Sequence, residues 1–103
     1  MFPVGKKDMI IRAITKTKKK VLDFYTIYFY DGSCLTLSSN PDSPQGISQW
    51  GEYFGINDAD FEEAVENNNQ LVILGQVEKL VNFSDLPAVI QAHIEKRIKE
   101  AGK

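Results

Sequence analysis

The sequence has few of the features that mark a compartment or a membrane. Cys34 is the only cysteine, so no intramolecular disulfide can form. Small domains in oxidising compartments often carry paired cysteines, so we expect a cytoplasmic protein. No apolar run approaches the roughly 20 residues that span a bilayer, and the first seven residues reach charge before any apolar stretch of signal-peptide length. The sequence therefore predicts no association with a membrane.

Signatures of catalysis and of cofactor binding are also missing. The chain has no Gly-x-Ser-x-Gly, no Gly-x-Gly-x-x-Gly and no phosphate-binding loop of the Walker type. Cys34 and His93 are the only candidate pair of nucleophile and base, and neither has a local signature around it. We expect Cys34 to be an ordinary strand residue and His93 to border the apolar side of a helix. The sequence predicts no catalytic residue, no metal ligand and no cofactor.

Length and composition are those of one ordinary domain. The chain has 103 residues, of which 43% are apolar and 25% are charged. Eleven aromatic residues supply large side chains for a core, so neither metals nor disulfides are needed for stability. We expect a single globular domain over residues 1–103.

The first half of the chain reads as a meander of strands. Residues rich in β-branched and aromatic side chains predict strands over Met9–Thr15, Val21–Tyr30 and Ser33–Ser38, with a cationic connection after Thr15. Asp31-Gly32 predicts a two-residue hairpin turn. That turn would place Tyr28 opposite Leu35. Both faces of the second strand are apolar, so we expect it to lie centrally and to be covered on both sides.

The second half combines helices and strands. Three helices are predicted: Ile47–Phe54 from the spacing of Ile47, Trp50 and Phe54, Ala59–Glu66 with Asn57 or Asp58 as its cap, and a C-terminal amphipathic helix with the stripe Leu86, Ile90, Ile94 and Ile98. Two strands, Leu71–Leu74 and Val77–Phe83, are separated at Gly75. A loop over Ser38–Gly46 precedes the first helix. The expected fold class is α+β, with an antiparallel sheet of four to five strands, two short middle helices and the C-terminal helix packed on the sheet.

Charge is strongly segregated along the chain. The net charge is +6 over residues 1–20, −9 over residues 21–70 and +1 over residues 71–103, which sums to −2. The acidic residues of one cluster can also act as helix caps, and their spacing matches no metal-binding pattern. We interpret this cluster, with two nearby aromatic residues, as a candidate surface for a protein partner: Asp58, Asp60, Glu62, Glu63, Glu66, Trp50 and Tyr53.

These observations favour a non-enzymatic protein-interaction module, such as a bacterial or phage regulator or inhibitor. One alternative is a nucleic-acid-associated domain that contacts phosphates through Lys16, Lys18, Lys19 and Lys20 and stacks bases on the aromatic residues of the second strand. A whole-chain pI near 5.3 weighs against that alternative. Another alternative is a small-ligand binder or an enzyme without a recognisable motif. Self-association as a homodimer is a further alternative if one apolar sheet face lacks cover.

Overall fold

The computed structural model describes residues 10–19, 22–73 and 75–101 of the chain. Within these residues it contains six strands, two α-helices and one turn of 3-10 helix. Their bounds are β1 Ile11–Lys19, β2 Leu22–Phe29, β3 Ser33–Ser38, β4 Ser48–Glu52, α1 Asp58–Glu66, β5 Gln70–Ile73, β6 Gln76–Val81, the 3-10 turn Phe83–Asp85 and α2 Ala88–Ala101. The predicted strand ends at Met9, Val21 and Leu74 lie outside the described residues.

The six strands form one antiparallel sheet in the order β4-β3-β2-β1-β6-β5. The predicted α+β class, the antiparallel sheet and the C-terminal helix are therefore confirmed. The sheet has one strand more than the four to five predicted, and there is one middle helix where two were predicted.

The additional strand is β4, and the predicted helix over Ile47–Phe54 is wrong. β4 pairs with β3, and Trp50 lies opposite Leu35. The helical spacing of three apolar residues coincided with a strand because Gly51 removes the side chain that would have revealed the alternation. Glycine also weakens a helix by about 1 kcal/mol relative to alanine. Pairing with the edge of β3 decides the conformation of this segment.

The hairpin between β2 and β3 differs from the predicted one by a single residue. Ile27, and not Tyr28, lies opposite Leu35. The loop has three residues, 30–32, because Gly32 adopts a φ of 93° at its end and its N–H bonds to the carbonyl of Phe29. A slip of one residue moves every side chain of a strand to the other face of the sheet. The predicted assignment of β3 to a face was therefore inverted.

Each sheet face is covered by one helix. The predicted stripe of α2 packs on the first face, where Leu86, Ile90 and Ile94 join a buried core formed with Ile14, Tyr25, Ile27, Phe29, Leu35 and Leu37. We call this the α2 face. The other face, which we call the α1 face, carries a smaller core of Tyr28, Phe61, Ala64 and Leu71. β2 is central and apolar on both sides, as its sequence predicted.

Candidate functional site: the acidic surface of α1 and β5

α1 begins at a capping box, of which the sequence predicted only the cap, as Asn57 or Asp58. The side chain of Asn57 accepts a hydrogen bond from the backbone N–H of Asp60 at 3.2 Å, and the Asp60 carboxylate accepts from the N–H of Asn57 at 2.8 Å. Two backbone donors that the helix itself cannot satisfy are thus paired. Asn57 is confirmed as the cap. Asp60 is committed to this local role, although its side chain still borders the groove described below.

Arg12 fixes the same end of α1 to the sheet. The pairing of β1 with β2 shifts register between Ile11 and Ala13, so Arg12 is the extra residue of a β-bulge. Its guanidinium lies 3.1 Å from the Asp58 carboxylate and 4.9 Å from the centre of the Phe61 ring. The predicted partner-binding residue Asp58 therefore has an internal partner. The basic and acidic segments of the sequence meet at this contact.

Three of the five predicted acidic residues form neither an ion pair nor a capping hydrogen bond within the described residues. Glu62, Glu63 and Glu66 are exposed, and the ion pairs found in the described part of the chain involve other carboxylates. The last turn of α1 carries no basic residue. The outward side of this helix is therefore a locally negative surface, and a cationic partner would gain from contact with it.

A groove runs between α1 and the outer side of β5. At one end, a hollow of about 310 Å³ is lined mainly by apolar residues, with Phe54 83% exposed at its rim. At the other end, a hollow of about 220 Å³ is lined mainly by polar groups, including Glu63. The two hollows share Asp60, Leu71 and Val72. We call this groove, together with the three glutamates above, the α1–β5 surface.

Trp50 and Tyr53 do not lie together on this surface. Trp50 is on the α2 face, where the guanidinium of Arg97 is 5.5 Å from its ring and Phe29 is 5.8 Å away. Tyr53 is on the α1 face, where its hydroxyl donates to the carbonyl of Phe29 at 2.5 Å and its ring meets Tyr28 edge-on. We expected both residues on one surface because the predicted helix Ile47–Phe54 contains both. In a strand, by contrast, alternate residues point to opposite faces.

The lysine cluster is part of a strand and not of a connection. β1 continues to Lys19, and the backbones of Lys18 and Lys19 pair with Asp23 and Leu22 of β2. The ammonium group of Lys16 lies 3.8 Å from the Asp23 carboxylate. Lys20 lies outside the described residues. The prediction of a cationic connection after Thr15 is wrong for residues 16–19, because these residues belong to β1 and pair with β2.

Burial removes most of the rings that were expected to stack bases. Tyr25, Tyr28 and Phe29 are at most 5% exposed and belong to the two cores. Base stacking needs an accessible ring face. Among the described aromatic residues of this hairpin, Tyr30 is exposed and Phe24 is half-buried. The nucleic-acid alternative stays a prediction that depends on the lysines.

A polar network that the sequence did not predict joins α2, β4 and the loop that precedes β4. The Nε2 atom of His93 lies 2.8 Å from Ser48 Oγ, and its Nδ1 atom lies 3.0 Å from Asp42 Oδ1. Arg97 donates to the carbonyl of Ser48 at 3.1 Å and also to its hydroxyl. The residues come from positions 42 to 97, and no local pattern links them. The predicted boundary histidine is in fact buried, with 7% of its surface exposed.

This order of groups is that of a serine, histidine and aspartate triad, but its surroundings fit a cross-link. The Ser48 hydroxyl is held by His93 on one side and by Arg97 on the other, so a substrate would have to displace the guanidinium. The network holds the edge strand β4 to α2.

Cys34 cannot act with His93 because the sheet lies between them. Cys34 borders the core of the α1 face, whereas His93 belongs to the helix on the opposite face. Burial, with smaller contributions from the negative charges of Glu52 and Glu78, raises the pKa of the Cys34 thiol. A raised pKa reduces the thiolate that a nucleophile needs at neutral pH. The expectation of an ordinary strand cysteine is consistent with this setting.

A second polar network lies on the α1 face. Glu78 Oε1 accepts from the hydroxyl of Thr15 at 2.7 Å and from that of Tyr28 at 3.1 Å. Burial, followed by the nearby carboxylate, raises the pKa of Tyr28. Both hydroxyls are thus satisfied inside the sheet face, and the network serves packing.

The small-ligand alternative has one further location. A hollow of about 430 Å³ lies between α1 and the pair of β1 and β6, and it combines the cations Arg12 and Lys79 with the carboxylate of Asp85. Arg12 is already paired with Asp58. This mixture of charges selects no ligand class.

No family model, curated protein or solved structure matches this chain. No helix in the described ranges is both long enough and apolar enough to cross a membrane. Over those same ranges, no three histidine, cysteine, aspartate or glutamate side chains are grouped as a metal site would need.

Proposed function

We propose that this protein is a small, non-enzymatic protein-interaction module that binds a basic partner through the α1–β5 surface. A role as a bacterial or phage regulator or inhibitor, acting in the cytoplasm, belongs to the same proposal. The observation that carries it is the combination, on one side of the molecule, of three glutamates that pair with no cation among the described residues and of Phe54, which is 83% exposed.

The two components have complementary roles in binding. Negative charge speeds encounter with a cationic protein and selects against acidic ones. An exposed aromatic ring beside an apolar hollow faces water in the free protein and becomes buried when a partner binds, which favours the complex. Phe54 makes no contribution to either buried core, so folding does not explain its position.

The test is affinity capture of partners by immobilised protein, followed by mass spectrometry. In the test variant Glu62, Glu63 and Glu66 are changed to glutamine. The matched control removes the same number of charges elsewhere, at Glu52, Glu95 and Glu100, which are also exposed. We expect the test variant to lose a partner that both the wild type and the control retain. If all three proteins capture the same set equally, the α1–β5 surface is not the interface.

A further inference from the structure

β5 is a sheet edge without the usual protection. It is the last strand in the sheet, and no described strand pairs with its outer side. Its four residues, Gln70–Ile73, include no charge and no proline. Proteins commonly protect exposed edges with lysine, proline or a bulge, because an open edge can pair with another chain. β5 therefore offers an open edge for strand pairing beside the negative charge of α1.

The backbone of β5 presents hydrogen-bonding groups to this open side. The N–H of Leu80 donates to the carbonyl of Asn69 at 2.6 Å, which marks these two as a hydrogen-bonded pair. Bonded and non-bonded pairs alternate along an antiparallel ladder, so Leu71 and Ile73 bond inward to β6. The N–H and C=O groups of Gln70 and Val72 consequently point outward. They are placed to pair with an added strand.

Side chains on the two faces of this edge define what the added strand would carry. On the α2 face, Val72 lies opposite Val77, and both are more than half exposed. On the α1 face, the lining of the groove changes from apolar at the hollow beside Phe54 to polar at the end that contains Glu63. Alternate residues of a strand face the same side, about 7 Å apart.

We infer that β5 binds an extended segment of a protein partner as an additional strand, with an apolar residue beside Phe54 and a lysine or arginine two positions away beside Glu63. This inference rests on the proposed function and names its partner class. A second copy of this chain fits less well, because symmetric pairing through β5 would bring the acidic grooves of both copies together.

The experiment measures binding of a fluorescein-labelled peptide of about eight residues by anisotropy. The peptide has isoleucine and lysine two positions apart, with valine and threonine elsewhere. A second peptide replaces the lysine with glutamate. We expect the wild type to bind the first peptide at least about tenfold more tightly than the second. Equal affinity of the two peptides would overturn the inference.

Two variants test the strand pairing itself. Val72→Pro removes the outward N–H without breaking a bond to β6, and Glu63→Lys reverses the charge in the groove. Each is expected to weaken binding at least about tenfold, whereas Glu95→Lys on α2 keeps wild-type affinity. A folded Val72→Pro variant that binds the peptide normally would overturn the inference. The inference would also be overturned if the wild type does not bind the peptide but forms a dimer that Val72→Pro dissociates.

Amide hydrogen exchange of the wild type supplies a readout that does not depend on any variant. The amides of Gln70 and Val72 are expected to exchange more slowly when the peptide is bound, and unchanged exchange would contradict strand addition. The two proposals fail separately. If partner capture is lost with the three glutamine substitutions but persists in Val72→Pro, the interaction module stands and the edge pairing does not.

Discussion

His93 and Ser48 are joined by a 2.8 Å contact between Nε2 and Oγ that ties the middle of α2 to the first residue of β4. β4 is the other edge of the sheet, and β3 is its only strand neighbour among the described residues. The side-chain contact therefore adds a second attachment to a strand that would otherwise be held from one side.

We expect His93→Ala to lower the free energy of unfolding by about 2 kcal/mol, since it removes a buried ring and leaves hydrogen-bonding groups without their partner. Asp42→Ala should cost less than about 1 kcal/mol, because its side chain is 58% exposed and water can replace it. Urea unfolding measures both. If the two variants lose the same free energy of unfolding, Asp42 stabilises the fold as much as His93 does, contrary to this prediction.

The loop that presents Asp42 depends on a glycine at its end. A Cβ atom on Gly46 would lie 2.3 Å from the backbone oxygen of Asn40, and backbone cannot move aside cheaply. We expect Gly46→Ala to cost about 1–3 kcal/mol, as overpacked substitutions do. Gly51→Ala is the matched control, because its Cβ would meet Cys34 Sγ at an ordinary 3.5 Å. Thermal unfolding should show a lower midpoint for the first variant alone.

Glu78 is the shared acceptor for two buried hydroxyls. Glu78→Leu would leave Thr15, which is fully buried, and Tyr28 without an acceptor, at a cost of about 2–4 kcal/mol. Glu78→Gln keeps an acceptor oxygen and should cost about 1 kcal/mol. Denaturant titrations of both variants give the comparison. If the leucine variant is the more stable of the two, the network does not stabilise the fold.

The raised pKa of Tyr28 predicts that the protein loses stability at alkaline pH. Its pKa in the folded protein is raised by burial and by Glu78, whereas the unfolded chain loses this proton near pH 10. The contribution to stability is complete below about pH 10 and is lost as the pH rises further, by up to about 1.4 kcal/mol per pH unit.

We therefore expect the free energy of unfolding to fall less steeply between about pH 9 and pH 11 in Tyr28→Phe than in the wild type. Tyr30→Phe is the control, because Tyr30 is 58% exposed, and it should follow the wild type. The other groups with raised pKa values, Cys34 and Tyr53, are present in all three proteins and cancel in the comparison. Parallel curves for all three would refute the assignment to Tyr28.

Local patterns in the sequence predicted the elements that depend on local chemistry. The stripe ending at Ile98 predicted α2, and a cap at Asn57 or Asp58 predicted the start of α1, because periodicity and capping depend on neighbouring residues. The three-residue loop and β4 were not predicted. The first depends on a φ of 93° at Gly32, which a shorter turn would also accommodate. The second depends on pairing with β3.

The candidate site was predictable only in part. The acidic cluster was evident, but the commitment of Asp58 to Arg12 depends on a bulge that has no sequence signal. The open edge of β5 follows from strand order, which a sequence of short apolar runs does not specify. The contacts of His93 join three segments of the chain, and proximity of that kind arises from tertiary packing alone.

The pairing of β1 with β6 has a consequence for how the chain is made. Ile14 pairs with Val81, which lies 67 positions later (81 − 14). The strands β1 to β4 carry two apolar faces, yet both helices that bury them come after residue 57. A nascent chain emerging from the ribosome would therefore present the meander before either helix exists. Synthesis of the second half must be completed before the first half is shielded from other nascent or unfolded chains.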